Sequence, residues 1–137
     1  MDDNLDVVVP YLTSANAMVR RAGARALGKV GSEYATAYLM QALDDNVVIV
    51  KNGSLQSLLE KELGRAQLLE LQQRVENGSL GSATDMILLE IEKKYLMQYP
   101  DIVSHTLAAI LERGAANKDA EIRIQMLLDT IPVTDKS

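Results

Sequence analysis

The N-terminal part of the chain carries basic side chains at a regular spacing of four residues: Arg21, Arg25 and Lys29. Residues four apart on a helix lie one above another, so these three side chains are predicted to form one basic stripe. Such a stripe is a candidate contact for an acidic protein surface or a phosphate group. The alternative is a solvated flank whose charges pair with nearby acids.

The only histidine of the chain, His105, is a second candidate for chemistry. It follows Asp101 by four residues, so the two side chains share a helix face and resemble the edge of a metal site. Two or three ligands on an exposed face make a poor site, and the chain has no cysteine to complete it. We therefore predict a surface cluster and no metal.

The last predicted helix, from about residue 118 to 130, carries apolar residues on two faces. Its core face is predicted to comprise Ala120, Ile124, Leu127, Leu128 and Ile131, while Ile122 and Met126 point the other way. Exposed, flexible apolar side chains often mark a binding or dimer surface. The alternative is that the N-terminal tail or a neighbouring loop covers them.

Catalytic motifs do not emerge from the sequence. It contains no Ser-His-Asp grouping beyond chance, no glycine-rich phosphate loop and no His-Glu metal motif. Paired carboxylates such as Glu90 and Glu92 are two residues apart on a helix and cannot face each other. The sequence therefore predicts no catalytic residues, no bound cofactor and no enzyme.

The elements that position these residues are helices in a repeat. A shift of 31 residues superimposes apolar positions and a basic residue: Leu12 falls on Leu43, Val19-Arg20 on Val50-Lys51, Ala22 on Gly53 and Leu27 on Leu58. Such matching is what stacked helix pairs require, because each unit offers the same face to its neighbour. We expect Arg20 to pair with Asp44 or Asp45 of the next unit.

Helix boundaries follow from caps and breakers. In the first unit Pro10 should kink or end a short helix over residues 5–12, and Asn16 should cap a second helix that ends before Gly31. Further predicted signals are caps at Ser32, at Asp45 or Asn46 and at Ser82 with Asp85, helix starts at Arg65 and Pro100, and stops at Gly64, Gly78, Gly114 and Pro132. Gly23 and Gly28 are small enough to permit close approach of a neighbouring helix.

The segment Val19-Arg20-Arg21-Ala22-Gly23-Ala24-Arg25-Ala26-Leu27-Gly28-Lys29-Val30-Gly31 resembles the second helix of HEAT-like repeats of the phycobilisome-lyase type. The resemblance is clearest over about residues 4–60. It implies a short, curved α-solenoid of antiparallel helix pairs that presents one surface to a protein partner. Some relatives help to attach bilin chromophores to phycobiliproteins, so an accessory role in chromophore attachment is an alternative.

These observations combine into one prediction: an all-α superhelix of about four antiparallel helix pairs in a single domain, residues 1–137. The repeats are predicted at 4–31 and 32–64, with degenerate repeats at 65–97 and 100–131; an added helical half is the alternative for the second part.

The expected function is a non-catalytic adaptor that binds a protein, with Arg21, Arg25, Lys29, Ile122 and Met126 as candidate partner-binding residues and a homodimer through the last helix as a further option. Nucleic-acid binding through the basic stripe is a third function, which the net charge of −5 disfavours. The cysteine-free composition and the acidic start without a following apolar run favour a cytoplasmic protein with no signal peptide, and no run approaches a membrane span.

Overall fold

The computed structural model describes residues 3–131, and within that range the chain folds into helices joined by turns, with no strand. The all-α prediction is therefore confirmed. The chain divides between Leu63 and Gly64 into two compact units, each described by itself below. In residues 3–131 no helix combines the length and the apolar character that a bilayer span requires. The single-domain organisation and its repeat boundaries stay predictions.

The N-terminal unit contains four α-helices and one 3₁₀ helix. These are α1 (Asp3–Val8), the 3₁₀ helix Val9–Thr13, α2 (Ala17–Leu27), α3 (Glu33–Ala42) and α4 (Val48–Leu59). Pro10 stands at the start of the 3₁₀ helix, where its missing N–H breaks the α-helical ladder as predicted. The Asn16 and Ser32 caps are also confirmed, since their side chains accept from Met18 N at 2.8 Å and Tyr34 N at 3.0 Å.

Three predicted boundaries of this unit are wrong. Helix α2 ends at Leu27, with Gly28 as its C-cap, and not directly before Gly31. Helix α4 begins at Val48 after the N-cap Val47, which has no side-chain cap bond; Asp45 instead accepts from the Val47 N–H at 2.9 Å. The helix ends at Leu59 rather than at residue 63. Beyond that end the Lys61 ammonium donates to the carbonyl oxygen of Val30, which connects the segment after α4 with the segment after α2.

Helices α2 and α4 pack side by side, while the 3₁₀ helix and α3 lie against them. Gly23 permits the close approach of the 3₁₀ helix, because a side chain there would meet Tyr11 Cβ at 2.9 Å. Gly28 does the same for α4, where Ser57 Oγ lies 2.8 Å from the position of a Cβ. The sequence prediction for both glycines is confirmed. Leucine side chains fill the core between these helices, among them Leu27, Leu39, Leu43, Leu55 and Leu58.

The C-terminal unit is built around one long helix. Its elements are α5 (Arg65–Glu76), the 3₁₀ helix Ser82–Thr84, α6 (Asp85–Tyr95), α7 (Pro100–Arg113) and α8 (Lys118–Asp129). Helices α5, α6 and α8 all contact α7, whose apolar side chains Ile102, Val103, Leu107 and Ile110 are buried. Gly114 ends α7 in the left-handed region with a φ of 106°, as glycine allows. Pro132, the predicted stop after α8, lies outside the described residues.

Candidate functional site

The face shared by α2 and α4 contains the predicted basic stripe. A side chain at Gly53 would meet Arg21 Cγ at 2.9 Å, so Arg21 lies across Gly53 of α4. One turn further on, Arg25 Nη1 donates to Ser57 Oγ at 2.9 Å. Both contacts join residues that are 32 apart and advance in the same direction along both helices. Helices α2 and α4 are therefore neighbours that run parallel.

The three basic residues of the stripe have different surroundings. Arg25 also binds Glu60 at 3.3 Å, so its charge is engaged within the unit. Arg21 is half-buried against Gly53, whereas Lys29 is exposed and forms no ion pair in the described part of the chain. The three side chains therefore form a spatial row, in which Arg25 is the member with an ion pair inside the unit.

Apolar side chains are exposed where α2 and α4 begin. Met18 has 61% of its surface exposed, Val48 43% and Ile49 39%. Met18 and Ile49 are separated by 31 residues, the period of the sequence repeat, so they occupy equivalent positions in the two helices. The observed spacing of 32 residues, extended by one turn towards the N-termini, would pair Met18 with Val50, the residue after Ile49. The sequence prediction missed this patch, although the repeat alignment contains it.

Arg20 has the structural role predicted for it. Its guanidinium donates to both carboxylate oxygens of Asp45, at 2.7 Å and 3.2 Å, and to the carbonyl oxygen of Ser14 at 2.8 Å. Burial raises the pKa of Asp45, but the hydrogen bonds from Arg20 and from the Val47 N–H, together with the Arg20 and Lys51 charges, outweigh it and hold the pKa below its usual value. The ion pair connects the first turns of α2 with the turn before α4.

Helix α8 exposes the two apolar residues singled out from the sequence. Ile122 is 46% exposed and Met126 63%, while Ala120 and Ile124 on the opposite face are buried. Met126 borders a groove of about 260 Å³ between α6 and α8, to which Leu89 and Leu127 contribute apolar walls. The exposure of this face is therefore as predicted, while its role in binding stays a prediction.

His105 is exposed on α7, as the helical spacing predicted. Asp101, its proposed neighbour in a metal edge, binds Arg65 of α5 at 2.5 Å instead. Within residues 3–131 no group of three or more potential metal ligands comes together. Asp101 thus stabilises the packing of α5 against α7.

Two buried acids of α6 were not anticipated from the sequence. Asp85, predicted as part of a capping box with Ser82, is fully buried; it binds the guanidinium of Arg113 and accepts from Ala116 N at 2.8 Å. Glu92 is also fully buried, and neither of its carboxylate oxygens has a hydrogen bond within the described residues. Burial raises the pKa of Glu92 well above its usual value.

Comparison with protein families finds a match for the N-terminal part of the chain. The family described as HEAT repeats matches residues 1–59, a range that spans α1 to α4 and so coincides with the N-terminal unit. Searches among curated proteins and solved structures return no match to the chain. The resemblance drawn from the sequence is therefore confirmed for HEAT repeats, while the lyase-type detail stays a prediction.

Proposed function

Because the chain is a HEAT-like repeat protein, we propose that it is a non-catalytic protein-binding module whose partner docks on the exposed face of α2 and α4. The observation that carries this proposal is the exposed apolar patch of Met18, Val48 and Ile49 at the start of the two helices. Repeats built from stacked helices present equivalent positions side by side, and partners bind to such extended surfaces.

The apolar patch supplies the energy of binding in this proposal. Single exposed apolar residues are ordinary, but exposed apolar residues at repeat-equivalent positions of two neighbouring helices favour a shared binding surface. Methionine is flexible enough to adapt to the shape of a partner. Burial of apolar surface is favourable by about 25 cal/mol per Å², so a partner that covers Met18 and Ile49 gains affinity there.

The charges beside the patch favour a protein partner over a nucleic acid. Arg25 is bound to Ser57 and Glu60, so a phosphate would have to compete with contacts inside the unit. Lys29 then offers one exposed positive charge at the far end of the stripe. The net charge of −5 for the whole chain adds long-range repulsion towards nucleic acids.

Capture from an extract of the source cells tests the proposal. The bait is the full chain, the readout is quantitative mass spectrometry, and the test variant is Met18→Asp with Ile49→Asp. Both sites lie in the first turn of a helix, where an acidic side chain is tolerated well. Tyr34→Asp, at a residue 63% exposed on α3, is the matched control.

We expect wild type and the Tyr34→Asp control to retain the same proteins and the Met18/Ile49 variant to lose them at least tenfold. Two further variants, Arg21/Arg25/Lys29→Ala and Ile122/Met126→Ser, test the remaining candidate residues in the same way. Equal capture by wild type and the Met18/Ile49 variant, both with the same circular dichroism spectrum, would exclude the α2–α4 face as the binding surface.

We assign Ile122 and Met126 to a second partner surface, on α8.

A further inference from the structure

The tetrapeptide Asn-Gly-Ser-Leu occurs twice in the chain, and its two copies have different structures. Residues 52–55 lie inside α4, whereas residues 77–80 form the turn after α5. An asparagine followed by glycine is open to attack by the next backbone nitrogen on its side-chain amide, because glycine has no side chain to hinder the approach. Since the two copies have the same residues, the local fold is the main difference between them.

We propose that Asn77 is a site of non-enzymatic deamidation in the folded chain and that the fold protects Asn52 from the same reaction. The Gly78 nitrogen loses its proton to solvent base and forms a bond to Cγ of Asn77. The bond between Cγ and the side-chain nitrogen breaks, and ammonia leaves after it takes up a proton. Water then opens the cyclic imide, which yields either aspartate or isoaspartate at position 77. This chemistry is independent of the proposed binding of a protein.

The turn after α5 gives the reaction room. Asn77 and Gly78 are both exposed, with a ψ of 1° at Asn77 and a φ of 85° at Gly78. A coupled rotation about these two angles turns the single peptide group between the residues and brings the Gly78 nitrogen towards Asn77 Cγ. Glycine accepts the new φ, so the rest of the chain can stay in place. The rotation costs the hydrogen bond from the Gly78 N–H to the Val75 carbonyl oxygen, at 3.2 Å, which water replaces at the surface.

The backbone of Ser79 favours the attack on Asn77. Its N–H donates to Asn77 Oδ1 at 2.9 Å, which holds the side-chain amide over the backbone that follows it. The same hydrogen bond draws electron density from Cγ. Oδ1 gains negative charge as the nitrogen adds to Cγ, and a donated N–H stabilises such a charge.

Helix α4 opposes the same rotation at Asn52. Asn52 and Gly53 lie in the middle of the helix, where hydrogen bonds between residues four apart fix both sides of their peptide group. Gly53 is buried, and its Cβ position lies 2.9 Å from Arg21 Cγ, so its backbone has little space in which to turn. Attack at Asn52 therefore requires a central turn of α4 to unfold, which costs more free energy than a rotation at a helix end.

Deamidation at Asn77 changes the surface beside the turn. A groove of about 550 Å³ between α5 and α7 is bordered by Glu76, Gly78 and Glu112. The new carboxylate follows Glu76 at the C-terminal end of α5, where the helix dipole disfavours a negative charge. Isoaspartate also adds one carbon atom to the backbone ahead of Leu80, which is fully buried. We therefore expect the modified chain to melt at a lower temperature than the intact chain.

Incubation of the full chain in mildly alkaline buffer, followed by digestion in mild acid and mass spectrometry, measures the reaction at each site. Deamidation replaces an amide by an acid, and electron-transfer fragmentation distinguishes isoaspartate from aspartate. In the folded chain we expect the reaction at Asn77 to be at least tenfold faster than at Asn52. In concentrated urea the two sites should react at similar rates, because their sequences are the same.

Asn77→Gln is the matched control variant, because its longer side chain closes a ring far more slowly. It should suppress the reaction at position 77, leave the reaction of Asn52 in urea unchanged and keep its melting temperature during the incubation. Circular dichroism before incubation checks that this variant folds like wild type. The deamidated wild-type chain carries an additional negative charge, so ion exchange separates it for the melting measurement.

Equal rates at the two sites of the folded chain would overturn the inference. So would a folded chain in which Asn77 stays intact while both sites react in urea, because the turn would then protect as well as α4 does. Clearly different rates in urea would show that residues outside the tetrapeptide, and not the fold, set the difference. An unchanged melting temperature of the separated product would contradict the predicted effect on the turn.

Discussion

The guanidinium of Arg25 in α2 donates to the buried hydroxyl of Ser57 in α4, with 2.9 Å between Nη1 and Oγ. The same hydroxyl donates to the carbonyl oxygen of Ala24 at 2.8 Å, so the contact ties the backbone of one helix to the side chain of the next. Arg25 thereby stabilises the packing that holds the proposed binding face together. Its role differs from that of Lys29 on the same stripe.

This difference predicts unequal effects of alanine substitution along the stripe. Arg25→Ala removes the hydrogen bonds to Ser57 and Glu60 and should lower the free energy of unfolding by about 1–2 kcal/mol. Lys29→Ala removes an exposed charge and should change it by less than about 0.5 kcal/mol. Urea unfolding followed by circular dichroism measures both. Equal effects of the two substitutions would contradict the structural role of Arg25.

The Arg20–Asp45 ion pair predicts a loss of stability in acid. The pKa of Asp45 is lower in the folded chain than its usual 3.8, so the folded state binds a proton less readily than the unfolded state. The contribution of the pair to the free energy of unfolding is complete above the unfolded pKa of Asp45. It is lost as the pH falls through the folded pKa. Asp45→Asn should cost about 1–3 kcal/mol at pH 7 and less at low pH, where the wild-type carboxyl is also protonated.

Unfolding free energies of wild type and Asp45→Asn at several pH values between about 7 and 2.5 check this behaviour. Asp6→Asn, at an exposed residue of α1, is the matched control and should leave the stability nearly unchanged. A difference between wild type and Asp45→Asn that stays constant as the pH falls would contradict the account of the pair.

The close packing around Gly23 predicts that even the methyl side chain of alanine would lower the free energy of unfolding. A methyl group there would lie 2.9 Å from Tyr11 Cβ and 3.3 Å from Leu12 Cδ2 of the 3₁₀ helix. Overpacking of this kind costs about 1–3 kcal/mol, while alanine gains up to about 1 kcal/mol of helix propensity. We expect Gly23→Ala to destabilise the chain by about 1 kcal/mol in thermal or urea unfolding.

Gly31→Ala is the control for that substitution, because nothing lies within 4 Å of the position of its Cβ. It should be neutral or slightly stabilising. A Gly23→Ala protein as stable as the Gly31→Ala protein would mean that the 3₁₀ helix does not approach α2 as closely as described.

The buried Glu92 predicts that the free energy of unfolding falls as the pH rises, which is the opposite of the effect of Asp45. Burial raises its pKa well above the usual 4.5, so the folded state holds the proton more strongly than the unfolded state. The contribution of Glu92 to the free energy of unfolding is complete below the unfolded pKa. It is lost as the pH rises from the unfolded pKa to the folded pKa, by up to about 1.4 kcal/mol for each pH unit. Glu92→Gln keeps the shape of the side chain and removes this dependence.

The measurement is the difference in unfolding free energy between Glu92→Gln and wild type as the pH rises from about 4 to 8. We expect that difference to grow in favour of Glu92→Gln. Glu90→Gln, at an exposed residue of the same helix, is the control and should follow wild type. Parallel curves for wild type and Glu92→Gln would contradict a buried carboxyl without a hydrogen-bond partner.

Local signals explain what the sequence could predict. Asn16, Ser32 and Gly114 act within their own turn, so residue type alone indicates a cap or a stop. The pairing of Arg20 with Asp44 or Asp45 could also be predicted, because the repeat places these acids in the corresponding turn of the next unit, and the structure selects Asp45. The exposure of Ile122 and Met126 follows from helical spacing once the buried face of α8 is known.

Non-local packing explains what the sequence could not predict. Asp85 has the spacing of a capping box with Ser82, but its partner Arg113 is 28 residues further along the chain. Glu92 looks like any charged residue of an amphipathic helix, and only the packing around α6 makes it buried. In the same way, Arg25 appears solvated in the sequence, and only the packing of α2 against α4 brings Ser57 of α4 and its C-cap Glu60 beside it.

Site-specific photo-crosslinking in the source cells tests most directly whether the α2–α4 face binds a protein. A photoreactive phenylalanine analogue is introduced at Met18, at Ile49 or at Tyr34, of which the last is as exposed as Met18 but lies on α3. The account predicts one and the same adduct of higher mass from positions 18 and 49 and none from position 34. Equal adducts from all three positions, or an adduct from position 34 alone, would contradict it.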